Sequence, residues 1–438
     1  MNSEDTMIDD RRTLLKWLIT GAGIAALDAA AGPSIKISQA KVYKVVVVGG
    51  GFAGATFART LKRLIPNTVI TLIEEYTEYF SGPLSAECLT GKRNEETLTF
   101  DYKKLVSEGI NVVHERALTI DATQKVVKTP NTTHRYDRCI VAAGIDFDFD
   151  HIKGHSEGLA DVFPHAWKGK DQLSALKKQL EEMPDGGTVL MSAPNTEYRC
   201  PPGPYERVSQ IAEYLIAHKP NSKIIFLDSK ERFPKQAQFE LAWKQLYGYG
   251  TAESIITWIG AQQGGTVTEL RPDTRELVCQ AGAFKGDVIN IIPRQKADLF
   301  TAANGLTGEN GWCPVNTQTF ESLKVANVHV IGDAADAHSL PKSAFAAACQ
   351  ARVCALAVYS LFNQLPLMTP EYMNVCFSLC GTHYAISVTV SYQQNPQTNK
   401  IDVISTNITP LDAPKTQYVS EVQSAYAMFN SMASGAFG

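Results

Sequence analysis

Two stretches of this 438-residue chain carry residue types and spacings suited to chemistry. The first is Arg199-Cys200-Pro201-Pro202-Gly203-Pro204-Tyr205-Glu206-Arg207, between strand-like Gly187-Thr188-Val189-Leu190-Met191 and an amphipathic stretch from Ser209 to Ala217. A strand-to-helix turn is where a dinucleotide pyrophosphate binds, and it needs glycines so that backbone can approach the phosphates. Here three prolines remove donors and stiffen the loop. A thiol occupies a position that cannot easily cradle a phosphate. Two readings stand: a rigid proline turn with an incidental cysteine, or a cysteine held for chemistry.

The second stretch is a dinucleotide fingerprint. Tyr43-Lys44-Val45-Val46-Val47-Val48 reads as a buried parallel strand. It runs into Gly49-Gly50-Gly51-Phe52-Ala53-Gly54, then a helix from about Ala55 to Leu64. A second apolar strand, Val69 to Ile73, ends at Glu74, 23 residues after Gly51. Gly49 allows the tight turn, Gly51 the approach of pyrophosphate, and Gly54 the packing of helix on strand. Glu74 is placed to accept hydrogen bonds from the adenosine ribose hydroxyls. A glycine hexamer alone is weak; the full order of strand, turn, helix, strand and acid is specific. The ligand is NAD or FAD.

Two later segments resemble the further signatures of the two-dinucleotide-binding-domain flavoproteins. One is Tyr136-Asp137-Arg138-Cys139-Ile140-Val141-Ala142-Ala143-Gly144. The other is Val328-His329-Val330-Ile331-Gly332-Asp333-Ala334, followed by a helical stretch from about Ser343. The resemblance implies FAD, with Ala143, Gly144, Gly332, Asp333 and Lys342 as further cofactor-binding residues and Asp333 on the ribityl chain. It also points the positive end of the following helix at the flavin pyrimidine. Read without the family, Asp333 is a turn or capping acid. The expected fold class is α/β, Rossmann-like of the glutathione-reductase type, with two α/β domains and a C-terminal α+β interface domain. The expected layout is a leader over 1–40 and a discontinuous FAD-binding domain over 41–154 and 295–365. An inserted NAD-domain-like unit over 155–294 lacks a nucleotide fingerprint, and a flavin-covering domain spans 366–438. In that insert, Ser174 to Glu181 looks helical, and the proline loop argues against NAD(P)H binding in the usual manner.

The run Cys200 to Arg207 resembles the corresponding motif of the flavoprotein subunit of flavocytochrome c sulfide dehydrogenase. Pro164-His165-Ala166-Trp167-Lys168, Lys223 to Ser229, Gly311-Trp312-Cys313-Pro314-Val315, Thr319-Phe320-Glu321-Ser322, Tyr372 to Ser378 and Phe437-Gly438 match as well. The resemblance covers essentially the whole chain after Lys41. It implies oxidation of sulfide at a redox-active disulfide between Cys200 and Cys376, with Glu206 as a candidate proton acceptor; a solvated first-turn carboxylate is the plain alternative for Glu206. It also implies a separate c-type cytochrome subunit as partner; in this chain Cys380-Gly381-Thr382-His383 lacks the second cysteine of a C-x-x-C-H haem site.

The chain departs from that family at three places. Gly82 stands where some members attach FAD covalently through cysteine, and Cys88 lies six residues on, so noncovalent FAD is expected. Met428, followed by Phe429, replaces a tryptophan near the sulfide site. Cys380 follows Cys376 by four residues and would face Cys200 from an adjacent turn if that segment were helical. Cys139 reads as a strand residue, and Cys349 and Cys354 as members of a helical apolar run. No cysteine has a metal-ligand spacing with histidine.

Composition is that of an ordinary globular chain. A net charge of -4 and no basic stripe argue against nucleic acid as a partner. Arg11-Arg12 before the moderately apolar stretch Trp17 to Ala31 has the pattern of a Tat export signal, with cleavage before Lys41 or near Ala29 to Ala31. The expected address is the periplasm, where stable disulfides are possible. Nothing beyond the N-terminus approaches a membrane span. The tail, polar and proline-containing from Thr409 to Lys415, reads as lacking an obvious apolar amphipathic helix, so no stable membrane insertion is expected. Rival readings are a sulfide:quinone oxidoreductase and a noncatalytic exported FAD-binding protein.

Overall fold

A computed structural model describes residues 41–438. The twin-arginine segment lies outside the described residues. The valine-rich run folds as β1 (Lys44–Val48), buried from Val45 onward, as continuous β-branched residues without alternation require. Helix α1 (Phe52–Leu64) begins three residues before the expected Ala55, because Gly51 takes an extended conformation and serves as its N-cap. Strand β2 (Val69–Ile73) pairs in parallel with β1, and β3 (Asn111–Val113) lies beyond β2. Strand β4 (Arg138–Val141) runs parallel on the other side of β1.

The chain then leaves through β5 (Ile145–Asp148) and enters α2 (Lys170–Glu182). A second parallel sheet follows, built from β6 (Thr188–Ala193), β7 (Lys223–Asp228), β8 (Ile256–Ile259) and β9 (Val288–Ile291), in the order β8-β7-β6-β9. Helix α3 (Gly203–His218) connects β6 to β7, and α4 (Gln236–Tyr247) connects β7 to β8. Strand β10 (Arg294–Ala297) returns antiparallel to β5. Strand β11 (Val328–Val330) completes the first sheet, whose order is β11-β4-β1-β2-β3. This is the α/β, Rossmann-like architecture read from the sequence.

Helix α5 (Ala344–Asn363) starts at Ser343, whose hydroxyl accepts the Ala346 N–H. By length and composition it is apolar enough to cross a membrane. Its small side chains, Ala347, Ala351, Cys354 and Ala355, are buried, and it packs against α1 and the next strand, as a core helix does. That strand, β12 (Glu371–Gly381), forms an antiparallel meander with β13 (Tyr384–Asn395) and β14 (Lys400–Ile408). Cys376 and Cys380 are therefore on a strand and not on successive helical turns. The polar connector after β14 leads into α6 (Lys415–Ala436), a 22-residue helix. The reading of the tail had found no amphipathic helix there; α6 buries Tyr418, Val422, Ala425, Phe429 and Met432. The polar stretch Thr409 to Lys415 marked its approach, not its character.

The end of α6 returns to the glycine turn. Arg59 of α1, 3 % exposed, donates to the carbonyls of Ser434 at 2.6 Å and Gly435 at 3.0 Å. A cation at a helix C-terminus satisfies carbonyls that have no helical donor. Glu108 fixes Arg59 through a two-pronged pair at 2.6 and 2.7 Å. Phe437 then packs among Phe52, Tyr79 and Phe100, with centroids 5.4, 5.2 and 5.0 Å away. Tyr102 lies beside them and donates its hydroxyl to the Gly50 carbonyl at 3.2 Å.

Candidate active site

One cavity of about 990 Å³ runs from the glycine turn, past the C-terminal ends of the first sheet, to β12 and the Cys200 loop. At one end β1 delivers Gly49 to Gly51 into it. Gly54 does not line the cavity but makes the turn possible. A Cβ there would lie 1.9 Å from the Gly49 carbonyl oxygen, so only hydrogen lets α1 approach the turn. Glu74, at the end of β2, accepts the Gly50 N–H at 2.7 Å and the Tyr76 N–H at 3.1 Å, and its carboxylate borders the cavity.

Midway, Ala143, Gly144, Gly332 and Asp333 line the wall. The Gly332 N–H donates to Gln350 at 2.8 Å, tying the turn to α5. The first residues of α5, Ala344, Phe345 and Ala347, line the same wall beside its N-cap Ser343. The Asp333 Oδ1 is buried without a hydrogen-bond partner. Burial pushes the Asp333 carboxyl up, against the charges of Arg199 and Lys342. Buried polar atoms are nearly always satisfied, and a hydroxylated chain running past Asp333 would satisfy this one. The turn, the acid at the end of β2, the helix N-terminus and this orphan oxygen fit FAD lying along the cavity. Lys342 is elsewhere. It does not line the cavity; its ammonium lies 3.6 Å from the Trp312 ring centroid and donates to the carbonyls of Asp333 and Ala335. Its own carbonyl accepts the Cys200 N–H at 2.7 Å, so Lys342 holds the cysteine loop.

At the far end the cavity is sulfur-lined. Cys200, Glu206 and Cys376 all border it, although they come from the loop before α3, the first turn of α3 and the middle of β12. Both cysteines are partly exposed free thiols in this structure. Cys200 has a left-handed backbone, φ 58°. That conformation costs a non-glycine residue energy and persists where surroundings impose it. They do so here. The Gly203 N–H donates to the Cys200 carbonyl at 2.8 Å, Arg199 N–H to Gln295 at 2.8 Å, and Tyr198 hydroxyl to the Pro201 carbonyl at 2.7 Å. Gly203 has no side chain for a reason: a Cβ would meet the Trp167 ring at 2.7 Å and the Cys200 Sγ at 2.9 Å. Trp167 is in turn stacked beneath the buried Arg207 guanidinium, 4.8 Å away. Arg207 is anchored by the His165 carbonyl and Asn290, both at 3.0 Å.

Burial raises the Cys200 thiol, with Cys376 and Glu206 adding to the rise and Lys235 and Arg199 opposing it. Burial raises Cys376 too, and Lys235 is the leading opposing charge. Burial pushes the Glu206 carboxyl up to about 7, against an N–H bond from Leu379 and the charge of Lys235. A thiol pair beside an acid that titrates near neutrality can exchange both sulfur bonds and protons.

Cys380 is fully buried and is not among the cavity-lining residues. Met428 and Phe429 line the cavity near β12. Gly82 lines it as well, with no atom within 4 Å of where a Cβ would stand, whereas Cys88 is buried away from it. Arg199, Trp167 and Lys235 have no role in the sequence reading; Arg199 and Trp167 stand within stretches it singles out, and Lys235 carries no signal. Among the described residues no group of histidine, cysteine or acid side chains is arranged to hold a metal.

Fold and cavity together define a FAD-dependent oxidoreductase with two thiols set into its flavin site. Residues 173–293 match the model of the central region of the sulfide dehydrogenase [flavocytochrome c] flavoprotein chain, and 368–437 the flavin-binding region of flavocytochrome c sulphide dehydrogenase. The flavoprotein chain of that enzyme from Chlorobaculum thiosulfatiphilum is 48 % identical over 42 residues, 10 % of this chain and 88 % of that sequence. The chain belongs to this family of sulfide dehydrogenase flavoproteins and is a sulfide-oxidising flavoprotein oxidoreductase. Residues 43–180 match the broader pyridine nucleotide-disulphide oxidoreductase model. Mitochondrial sulfide:quinone oxidoreductase of Mus musculus is 23 % identical over 379 residues, covering 81 % of this chain and 79 % of that one. The solved structure of sulfide:quinone oxidoreductase from Aquifex aeolicus superposes with a TM-score of 0.69 at 19 % identity, over 90 % of this chain and 92 % of that one.

Proposed function

We propose that the protein is an exported sulfide dehydrogenase that oxidises HS⁻ at a disulfide between Cys200 and Cys376 and delivers the electrons to a c-type cytochrome subunit. The observation that carries this reading is the convergence of Cys200, Cys376 and Glu206 on the cavity that fits FAD. HS⁻ attacks one sulfur of the disulfide as thiolates do, leaving one cysteine as a persulfide and the other as a thiolate. Glu206 takes up the proton. The net change is HS⁻ to zero-valent sulfur, a proton and two electrons, the sulfur leaving as such or as polysulfide. FAD, when bound, supplies the two-electron acceptor and passes electrons on singly to a haem. The haem belongs to the partner, in keeping with the family's name.

Gly82 and the distant Cys88 support noncovalent FAD. Acid precipitation is then expected to leave the yellow colour in the supernatant; a yellow pellet would show a tether. Export rests on the twin arginine alone, and fractionation of the native host checks it: the mature protein belongs in the periplasm. The second reading, transfer to a quinone, is favoured by the names of the mouse and Aquifex relatives. Apolar side chains exposed on the outer strand β14, Val403 at 53 % and Ile404 at 61 %, are also compatible with a membrane surface. Steady-state sulfide oxidation with cytochrome c or a short-chain quinone as acceptor separates the two. Cytochrome c is expected to be preferred, and preference for the quinone would reverse the assignment. A protein that binds FAD without catalysis would show no flavin reduction by sulfide at all.

The acid gives a pH signature. Below about 7 the Glu206 carboxyl is protonated and cannot take a proton; above it the carboxylate can. The ratio of wild-type to Glu206→Gln rates is expected to rise about tenfold between roughly pH 6 and 8. Taking the ratio cancels the ionisation of sulfide itself. A flat ratio would remove Glu206 from proton transfer.

A further inference from the structure

Behind the sulfur-lined end of the cavity lies a buried cation. Lys235 is 7 % exposed and immediately precedes α4 with a left-handed backbone, φ 59°. Its ammonium donates to the Ser378 hydroxyl at 2.8 Å, and the carbonyls of Ile386 and Cys376 lie at 3.4 and 3.5 Å. These partners are all on β12 and β13. Lys235 takes part in none of the ion pairs formed among the described residues. Cys376 and Ser378, two residues apart on β12, stand on the same face of the strand, and the Cys376 thiol donates to the Phe377 carbonyl at 3.6 Å. The ammonium is thus held against the strand segment that carries Cys376.

A buried ammonium without a carboxylate beside it is costly, and it gains most from a neighbour that becomes an anion. The titratable groups facing it are Cys200 and Glu206 from the loop and first turn of α3, and Cys376 and Cys380 from β12. Arg199 also acts on Cys200, and Glu421 of α6 acts on Cys380. Of these groups, Cys376 alone both lines the cavity and belongs to the strand whose backbone and Ser378 hydroxyl face the ammonium.

We propose that Lys235, held against β12 by Ser378, makes Cys376 the leaving thiolate of the sulfur pair and so directs sulfide onto Cys200. HS⁻ forms a new S–S bond to the Cys200 Sγ. The Cys200–Cys376 bond breaks, its electron pair stays on the Cys376 Sγ, and Cys200 carries the added sulfur with its proton. The charge that develops on Cys376 lies beside an ammonium that forms no ion pair among the described residues. Lys235 is a positioning residue, and the assignment rests on the sulfide reading given above.

The test reads the thiolate without using sulfide. In reduced holoprotein, the rate of Cys376 alkylation by iodoacetamide is followed against pH by mass spectrometry, with Cys200 measured in the same samples. Lys235→Met is expected to raise the Cys376 midpoint by about one pH unit or more, and to move Cys200 less. Lys235→Arg is expected to restore most of the shift. Ser378→Ala is expected to move Cys376 in the same direction by a smaller amount, and it carries the test if Lys235→Met does not fold. Unchanged midpoints in both variants, or a larger shift at Cys200 than at Cys376, would overturn the proposal. Sulfide reduction of the flavin surviving in both Cys200→Ser and Cys376→Ser would instead sink the disulfide route while leaving the alkylation result interpretable.

Discussion

Anaerobic sulfide is expected to bleach the flavin of the wild-type protein and to leave it oxidised in Cys200→Ser and in Cys376→Ser. Thiol–disulfide exchange needs three sulfurs in line: an attacking anion, a central atom and a leaving atom. The chain supplies two of them, one from the loop before α3 and one from β12. A serine hydroxyl can neither join nor leave such a bond, so either substitution removes the route, and the rate is expected to fall by about a thousandfold or more. Cys380→Ser is the control. Its side chain does not line the cavity, so near-wild-type bleaching is expected. Wild-type rates in both cysteine variants would mean that HS⁻ reaches the flavin without help from the thiols. Retention in one variant only would move the partnership to a different cysteine.

The second large effect lies at the opposite end of the cavity. Gly54→Val is expected to yield protein purified almost free of FAD and with a markedly lower Tm. The first added carbon already falls 1.9 Å from the Gly49 oxygen and 3.3 Å from Val47 Cγ1, backbone and core that cannot swing aside. Helix α1 must retreat from β1, and the turn that receives the pyrophosphate opens with it. Overpacking of this kind costs about 3 kcal/mol. The flavin-to-protein absorbance ratio and a thermal melt measure both consequences. Gly82→Ala is the matched comparison, because its added carbon meets nothing within 4 Å; full FAD content and an unchanged melt are expected there. Normal flavin content in Gly54→Val would show that the turn tolerates a displaced helix.

The contrast between these two ends explains what could be read beforehand. The glycine turn and Glu74 belong to one short strand–helix–strand unit, so their spacing along the chain already states their spacing in space. Even so, α1 began at Phe52, since an extended glycine cap is not visible in composition. The sulfur end is made of remote pieces. Nothing local to Cys376 marked it, and only resemblance paired it with Cys200. The Val375 to Cys380 run is apolar without a clear period, which leaves helix and strand undecided; pairing with β13 decides it. Lys235 follows a proline before an ordinary amphipathic helix, and its meaning comes from Ser378, brought to it by tertiary packing. Lys342 stands near a legible motif, but its ammonium lies over a tryptophan face and against the Asp333 and Ala335 carbonyls, a placement that the motif does not show.

Phe437 lies in the aromatic cluster beside the glycine turn that opens the described chain. The turn itself is local, whereas the contact of α6 with it spans nearly the whole described chain, the kind of pairing that closes slowly. Holding the cofactor therefore acts as an inspection of the far end of the polypeptide. A molecule cut in the connector between β14 and α6 would lose Ala425, Met428, Phe429 and Met432 from the cavity wall and Phe437 from the aromatic cluster beside the turn. The colour of a purified sample then certifies that residues nearly four hundred positions apart have met.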